Sequence, residues 1–193
     1  MTITKKSKLQ FDYKTSKKLI KLQPGEYYAT NEDIAIVTIL GSCVSCCLFD
    51  PQKKIGGMNH FILPADDRGV LSNSTRYGAY AMEVLINAIL KLGGEKENLI
   101  AKAFGGGRIL AAIKNANIGQ RNAEFLWQYL KEEGIALDKT DLGGNHARKV
   151  CFFPATGQVF VKKLPREEVA EPLFKEEIKY QEKLQTRQDV ELF

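Results

Sequence analysis

What this sequence does without narrows it first. No apolar run approaches the ~20 residues that a membrane-crossing helix needs. The N-terminus lacks the apolar centre of a signal peptide. Cysteine is scarce, four in 193 residues, and Cys46 and Cys47 are adjacent. That is a poor disulfide framework for a chain of this length and fits a reducing, cytoplasmic setting. There are only two histidines, His60 and His146, which leaves little for a metal centre. The glycine-rich Gly105-Gly106-Gly107-Arg108 has neither the Lys-Ser/Thr ending of a P-loop nor dinucleotide spacing, so close backbone approach, in packing or beside a cleft, is its expected role. No basic run interleaved with aromatics points to nucleic acid. The chain shows no internal repeat.

What is present is enough apolar sequence, 44% of residues, for one well-filled domain. Net charge is +5, and seven lysines against Asp12 alone fall in residues 1–24. That stretch reads as a basic, flexible, solvated tail, with attraction to an acidic receptor or inner-leaflet surface as the sharper reading. Pro24-Gly25 marks the start of a domain over 25–164, and 165–193 reads as a charged C-terminal helix and tail.

The centre of the domain is Ile34 to Pro64. Residues 34–40 are a β-branched apolar strand broken by Gly41-Ser42, and Cys43 to Phe49 is a second apolar strand closed by Asp50-Pro51. A two-residue turn pairing Asp50 with Lys53 puts Cys43 opposite His60, within side-chain reach across a hairpin. A thiol beside an imidazole is the minimum for nucleophilic cysteine chemistry, because the base raises the thiolate fraction. Backbone N–H groups exposed by the Gly-Ser turn suit an oxyanion. A buried Cys that only packs is the competing reading. A metal site from Cys43, Cys46, Cys47 and His60 is weak, since Cys43 and Cys46 point to opposite faces of a strand.

The blocks LGSCV, GGMNHFILP, RYGAYAMEVLINAILKLG, AKAFGGGRI, IGQRNAEF, DLGGNHARKVCFFPATGQV and VELF together resemble the CheD family, the chemoreceptor glutamine deamidases of bacterial chemotaxis. The resemblance implies a Cys nucleophile at Cys43, a His base at His60 and a Thr, here Thr38, as third member. It implies no cofactor and no metal, and methyl-accepting chemotaxis receptors as partners, with a CheC-type phosphatase as a further one. The alternative it leaves is a non-catalytic adaptor binding those same partners. It also implies a layered α/β sandwich related to the cysteine-hydrolase fold of the cytotoxic necrotizing factor deamidases.

The remaining pattern gives α+β, a mixed or antiparallel sheet with outer helices. Ala65 to Ser74, with Asp66 and Asp67, reads as a solvated loop. A helix is expected over 75–92 with Tyr77, Tyr80, Ala81, Val84, Ala88 and Leu92 inward, and a second from Asn122 to Glu133 with Ala123, Leu126, Trp127 and Leu130 inward. Asn122 is expected to cap the second helix, a site-shaping role being the other option. A strand is expected over 98–104, and Arg148–Phe153 and Gln158–Leu164 read as a β-hairpin. His146, in a glycine-rich loop, competes with His60 as a base. Residues 166–187 suggest a surface helix with Val169, Leu173 and Ile178 apolar.

Overall fold

The computed structural model describes residues 2–4, 9–12, 17–64, 73–109, 117–165, 173 and 175–184. The acidic loop at Asp66-Asp67 and the VELF end lie outside the described residues. In chain order the elements are β1 (Thr2–Thr4), β2 (Leu9–Asp12), β3 (Lys17–Lys21), β4 (Tyr27–Thr30), β5 (Ala35–Leu40), β6 (Val44–Asp50), β7 (Ile55–Asn59), α1 (Asn73–Lys91), β8 (Ile100–Gly105), α2 (Ile118–Glu132), β9 (Ala136–Leu142), β10 (Ala147–Phe153) and β11 (Gln158–Leu164). A last helix, α3, spans 175–184.

The strands form two sheets. One has six strands in the order β1-β4-β7-β6-β8-β9, the other five in the order β11-β10-β5-β3-β2. Both mix parallel and antiparallel pairs, as the α+β reading requires. The near-continuous apolar run in β6 is explained by burial on both faces. Val44, Cys46 and Leu48 face α1 and α2, meeting Met82, Leu85, Ile89, Leu126 and Leu130. Cys43 and Cys47 face the second sheet, meeting Ile20, Ile36, Leu40, Val150 and Phe152. The layers are therefore helices, six-stranded sheet, five-stranded sheet. The opposite facing of Cys43 and Cys46 follows from strand alternation.

The stretch expected to be an N-terminal tail contributes β1, β2 and β3 to these sheets, and Ile20 and Leu22 enter the layer between them. Its lysines masked an alternation that buries Ile20 and Leu22 while Lys21 between them stays exposed. The helix phases also shift. Tyr80 and Trp127, read as inward, are 54% and 52% exposed, and Trp127 carries the Lys131 ammonium over its ring. Ile178 likewise faces out.

Candidate functional site

Three local features build the site, and the first is a crossing. β5 belongs to the five-stranded sheet and β6 to the six-stranded one, so Gly41, Ser42 and Cys43 carry the chain from one layer to the other. The crossing is pinned by backbone. Gly106 and Gly107 donate N–H bonds to the carbonyls of Cys43 and Gly41, both at 2.8 Å. Gly105 has φ +107°, and a Cβ there would sit 2.2 Å from the Cys43 carbonyl. The triple glycine thus serves close approach, as its lack of a phosphate motif suggested.

The second feature is a register different from the expected one. The turn after β6 has four residues, with Lys54 in the left-handed region (φ 56°), and Asp50 pairs with Ile55 rather than Lys53. Asp50 accepts the N–H groups of Gln52 and Lys53 at 2.9 and 3.0 Å, which fixes the longer turn. Every pairing is displaced by two, so Cys43 is not directly opposite His60. An even displacement keeps side chains on their faces, and His60 stays on the face of Cys43, one pair along the diagonal. Asn59 interrupts the ladder by taking the Cys46 N–H on its side-chain oxygen at 2.9 Å. His60 then pairs with the other neighbour, its N–H on the Glu26 carbonyl and its carbonyl on the Gly25 N–H.

The third feature is a contact between layers. Along β5, residues 36, 38 and 40 are buried and face the six-stranded sheet. Thr38 lies among them at 0% exposure, and its hydroxyl meets His60 Nδ1 at 2.8 Å. The same hydroxyl donates to the Leu22 carbonyl at 3.0 Å. A hydroxyl has one proton, so Thr38 accepts from His60, which places the imidazole proton on Nδ1. Nε2 is left as a bare lone pair, buried and without a hydrogen-bond partner among the described residues. Burial pushes this imidazole down to about 4, so it is neutral at pH 7. Cys43 is fully buried, and burial followed by the charge and hydrogen bond of Glu177 pushes its thiol well above the ordinary value.

Two site residues were missed or misread in the sequence. Helix α2 begins at Ile118, so Asn122 sits inside it rather than at its cap. It is fully buried; its side-chain oxygen accepts the Leu63 N–H and its amide donates to the Ser42 carbonyl, each at 2.8 Å. Glu177, on α3, accepts from the Ser42 N–H (2.9 Å), the Ser42 hydroxyl (2.5 Å) and the Cys43 N–H (3.4 Å). Two polar residues, Glu177 and Gln181, on the face that also carries Leu173, Tyr180 and Leu184 were the available signal. His146 lies in the loop before β10, and its backbone carbonyl accepts from Arg148. Among the described residues no group of three His, Cys, Asp or Glu is arranged to hold a metal.

The family model for CheD chemotactic sensory transduction matches residues 62–163. A probable chemoreceptor glutamine deamidase CheD from Cupriavidus pinatubonensis is 51% identical, covering 82% of this chain and 75% of its own length. A protein of the same description from Methylobacillus flagellatus is 54% identical over 81% of this chain and 79% of its own. The chain belongs to the CheD family. Another CheD relative, from Burkholderia thailandensis, is also 54% identical, over 81% of this chain and 68% of its own. The C-terminal domain of CNFy from Yersinia pseudotuberculosis is similar at 10% identity and a TM-score of 0.33, covering 76% of this chain and 62% of that one, a likeness too slight to carry weight.

Proposed function

We propose that this CheD protein hydrolyses glutamine side chains of methyl-accepting chemotaxis receptors to glutamate, with Cys43 as nucleophile, His60 as base and Thr38 as the residue that orients it. The observation that carries the reading is the Thr38–His60 contact, which leaves a bare Nε2 on the sheet face that Cys43 shares. Attack begins from a neutral pair, because burial disfavours both the thiolate and the imidazolium. The thiol proton passes to His60 Nε2 as sulfur bonds to the amide carbon. The Ser42 and Cys43 N–H groups take the oxyanion. His60 returns the proton to the departing ammonia and a thioester remains. Water then gives a proton to His60 and its oxygen to the acyl carbon. The thioester breaks, the sulfur recovers the proton, and a glutamate carboxylate leaves.

The relatives' names and the family resemblance support receptors as substrate and a cytoplasmic location, where receptor signalling segments are reached. A CheC-type phosphatase as second partner rests on the resemblance alone. The test is mass spectrometry of receptor cytoplasmic peptides before and after incubation. Cys43→Ala should abolish the glutamine-to-glutamate shift and keep receptor binding, whereas Cys46→Ala and Cys151→Ala should remain active. His60→Ala should approach Cys43→Ala in damage and His146→Ala should not. Full turnover by Cys43→Ala would refute the assignment.

A further inference from the structure

Glu177 is out of character for its helix. Its neighbours Glu176 and Ile178 face outward, while Glu177 is only 6% exposed. The helix has other anchors: Leu173 packs with Ile109 and Ala147, Gln181 donates to the Leu63 carbonyl at 3.0 Å, and Leu184 enters the layer between the sheets. Burying a carboxylate adds cost to that docking unless its partners are matched to it. The partners are the Ser42 N–H and hydroxyl and the Cys43 N–H, and the charge of Glu177 adds to burial in pushing the Cys43 thiol upward. Those N–H groups are the ones assigned above to the oxyanion.

A glutamate side chain is also what the proposed reaction leaves behind. Resting on the reading of Cys43 as nucleophile, we infer that Glu177 is a tethered product analogue: the chain's own glutamate fills the seat of the substrate's side-chain amide, and α3 competes with the receptor glutamine for it. The seat is made of Ser42 N–H, Ser42 Oγ and Cys43 N–H. A second observation agrees. His60 Nε2 is buried with no partner among the described residues, while the backbone of the nucleophile beside it is bonded to Glu177. With the seat filled, the N–H groups are occupied by the carboxylate; with Glu177 gone, they are released to the substrate.

Substitution in the full-length chain tests this directly. Glu177→Gln places an amide in the seat, so Cys43 should attack it. Water is consumed, ammonia is released, and the peptide carrying residue 177 regains the mass of glutamate. The rate should not depend on protein concentration, and the double variant Glu177→Gln/Cys43→Ala should keep its amide. Glu177→Ala should lower KM for a receptor cytoplasmic fragment with kcat unchanged, about tenfold if the seat is filled nine-tenths of the time. Two results would each overturn the inference. One is a Glu177→Gln preparation that deamidates the receptor fragment yet keeps the amide at its own position 177. The other is a KM in Glu177→Ala equal to the parent's. Should Cys43→Ala still deamidate the fragment, what falls is instead the reading of the nucleophile.

Discussion

At the scale of residues, the decisive contact joins two side chains from different sheets. Thr38 fixes which nitrogen of His60 carries the proton, and a single hydroxyl does so because it is already committed as a donor to Leu22. Thr38→Val keeps the shape and removes both bonds, leaving a buried N–H and a buried carbonyl unmatched. It should lower kcat/KM roughly 10²-fold, while Thr38→Ser should retain most activity. His60 supplies a second prediction. Its folded value near 4 lies below the ordinary 6.5, so between those pH values the unfolded chain holds a proton that the folded one lacks. Stability therefore falls as pH falls through that window, by about 3 kcal/mol in total. Urea midpoints measured above and below the window should show this drop, and His60→Gln should lessen it. Cys43 and His60 were legible as a pair because strand alternation survives an even change of register. The role proposed for Thr38 was legible only through the resemblance, since Gly41-Ser42 breaks the phase that would have fixed its facing.

Elements were legible where period and turn chemistry agreed. The β10–β11 hairpin and the strand ending at Gly105 were read within a residue or two. Helix faces were read less well. In α2 Leu126 and Leu130 are buried as read, but the aromatic Trp127 was counted inward while Gly119, Asn122 and Tyr129, which are buried too, were left out. Asn122 looked like a cap because asparagine prefers helix starts, yet tertiary contacts lengthen the helix by a turn and put it to other use. Asn122→Ala strips the acceptor from a buried Leu63 N–H and should cost about 1–3 kcal/mol. Asn122→Asp keeps that acceptor but sets a buried carboxylate against the Ser42 carbonyl, so it should fold no better than Asn122→Ala and turn over substrate poorly. Thermal midpoints and kcat, measured on both, separate the two effects. For α3, Gly25 is the counterpart in the body of the domain: at φ +81° it leaves the space that the Tyr180 ring fills, and Tyr180 hydrogen-bonds to Tyr77.

At the scale of the whole molecule the question is what holds two sheets in one register. Arg148 of β10 is 1% exposed and reaches across to the end of β9, donating to Asp141 at 2.6 Å and to the Gly143 carbonyl at 2.7 Å. That bond holds the Asp141 carboxyl below its ordinary value. Asp141→Asn leaves the buried guanidinium without its counter-ion and should cost about 3 kcal/mol, the lower end for such pairs because Asp141 is itself partly exposed. Guanidinium or urea unfolding measures it. The division of the strands between two sheets was the least legible part of the residue pattern, since nothing in Leu40-Gly41-Ser42-Cys43 says that the chain changes sheets there.

That change of sheets has a consequence for synthesis. Cys43 and His60 leave the ribosome early, but β5, which carries Thr38, gains its antiparallel neighbour only when β10 emerges, with Thr38 opposite Val150. Such long-range pairing forms late. A nascent or prematurely ended chain therefore holds both the sulfur and the imidazole while β5 is paired on one edge only, by β3. On the proposed assignment, chemistry on receptor glutamines should begin only once β10, and so nearly all of the domain, has been made.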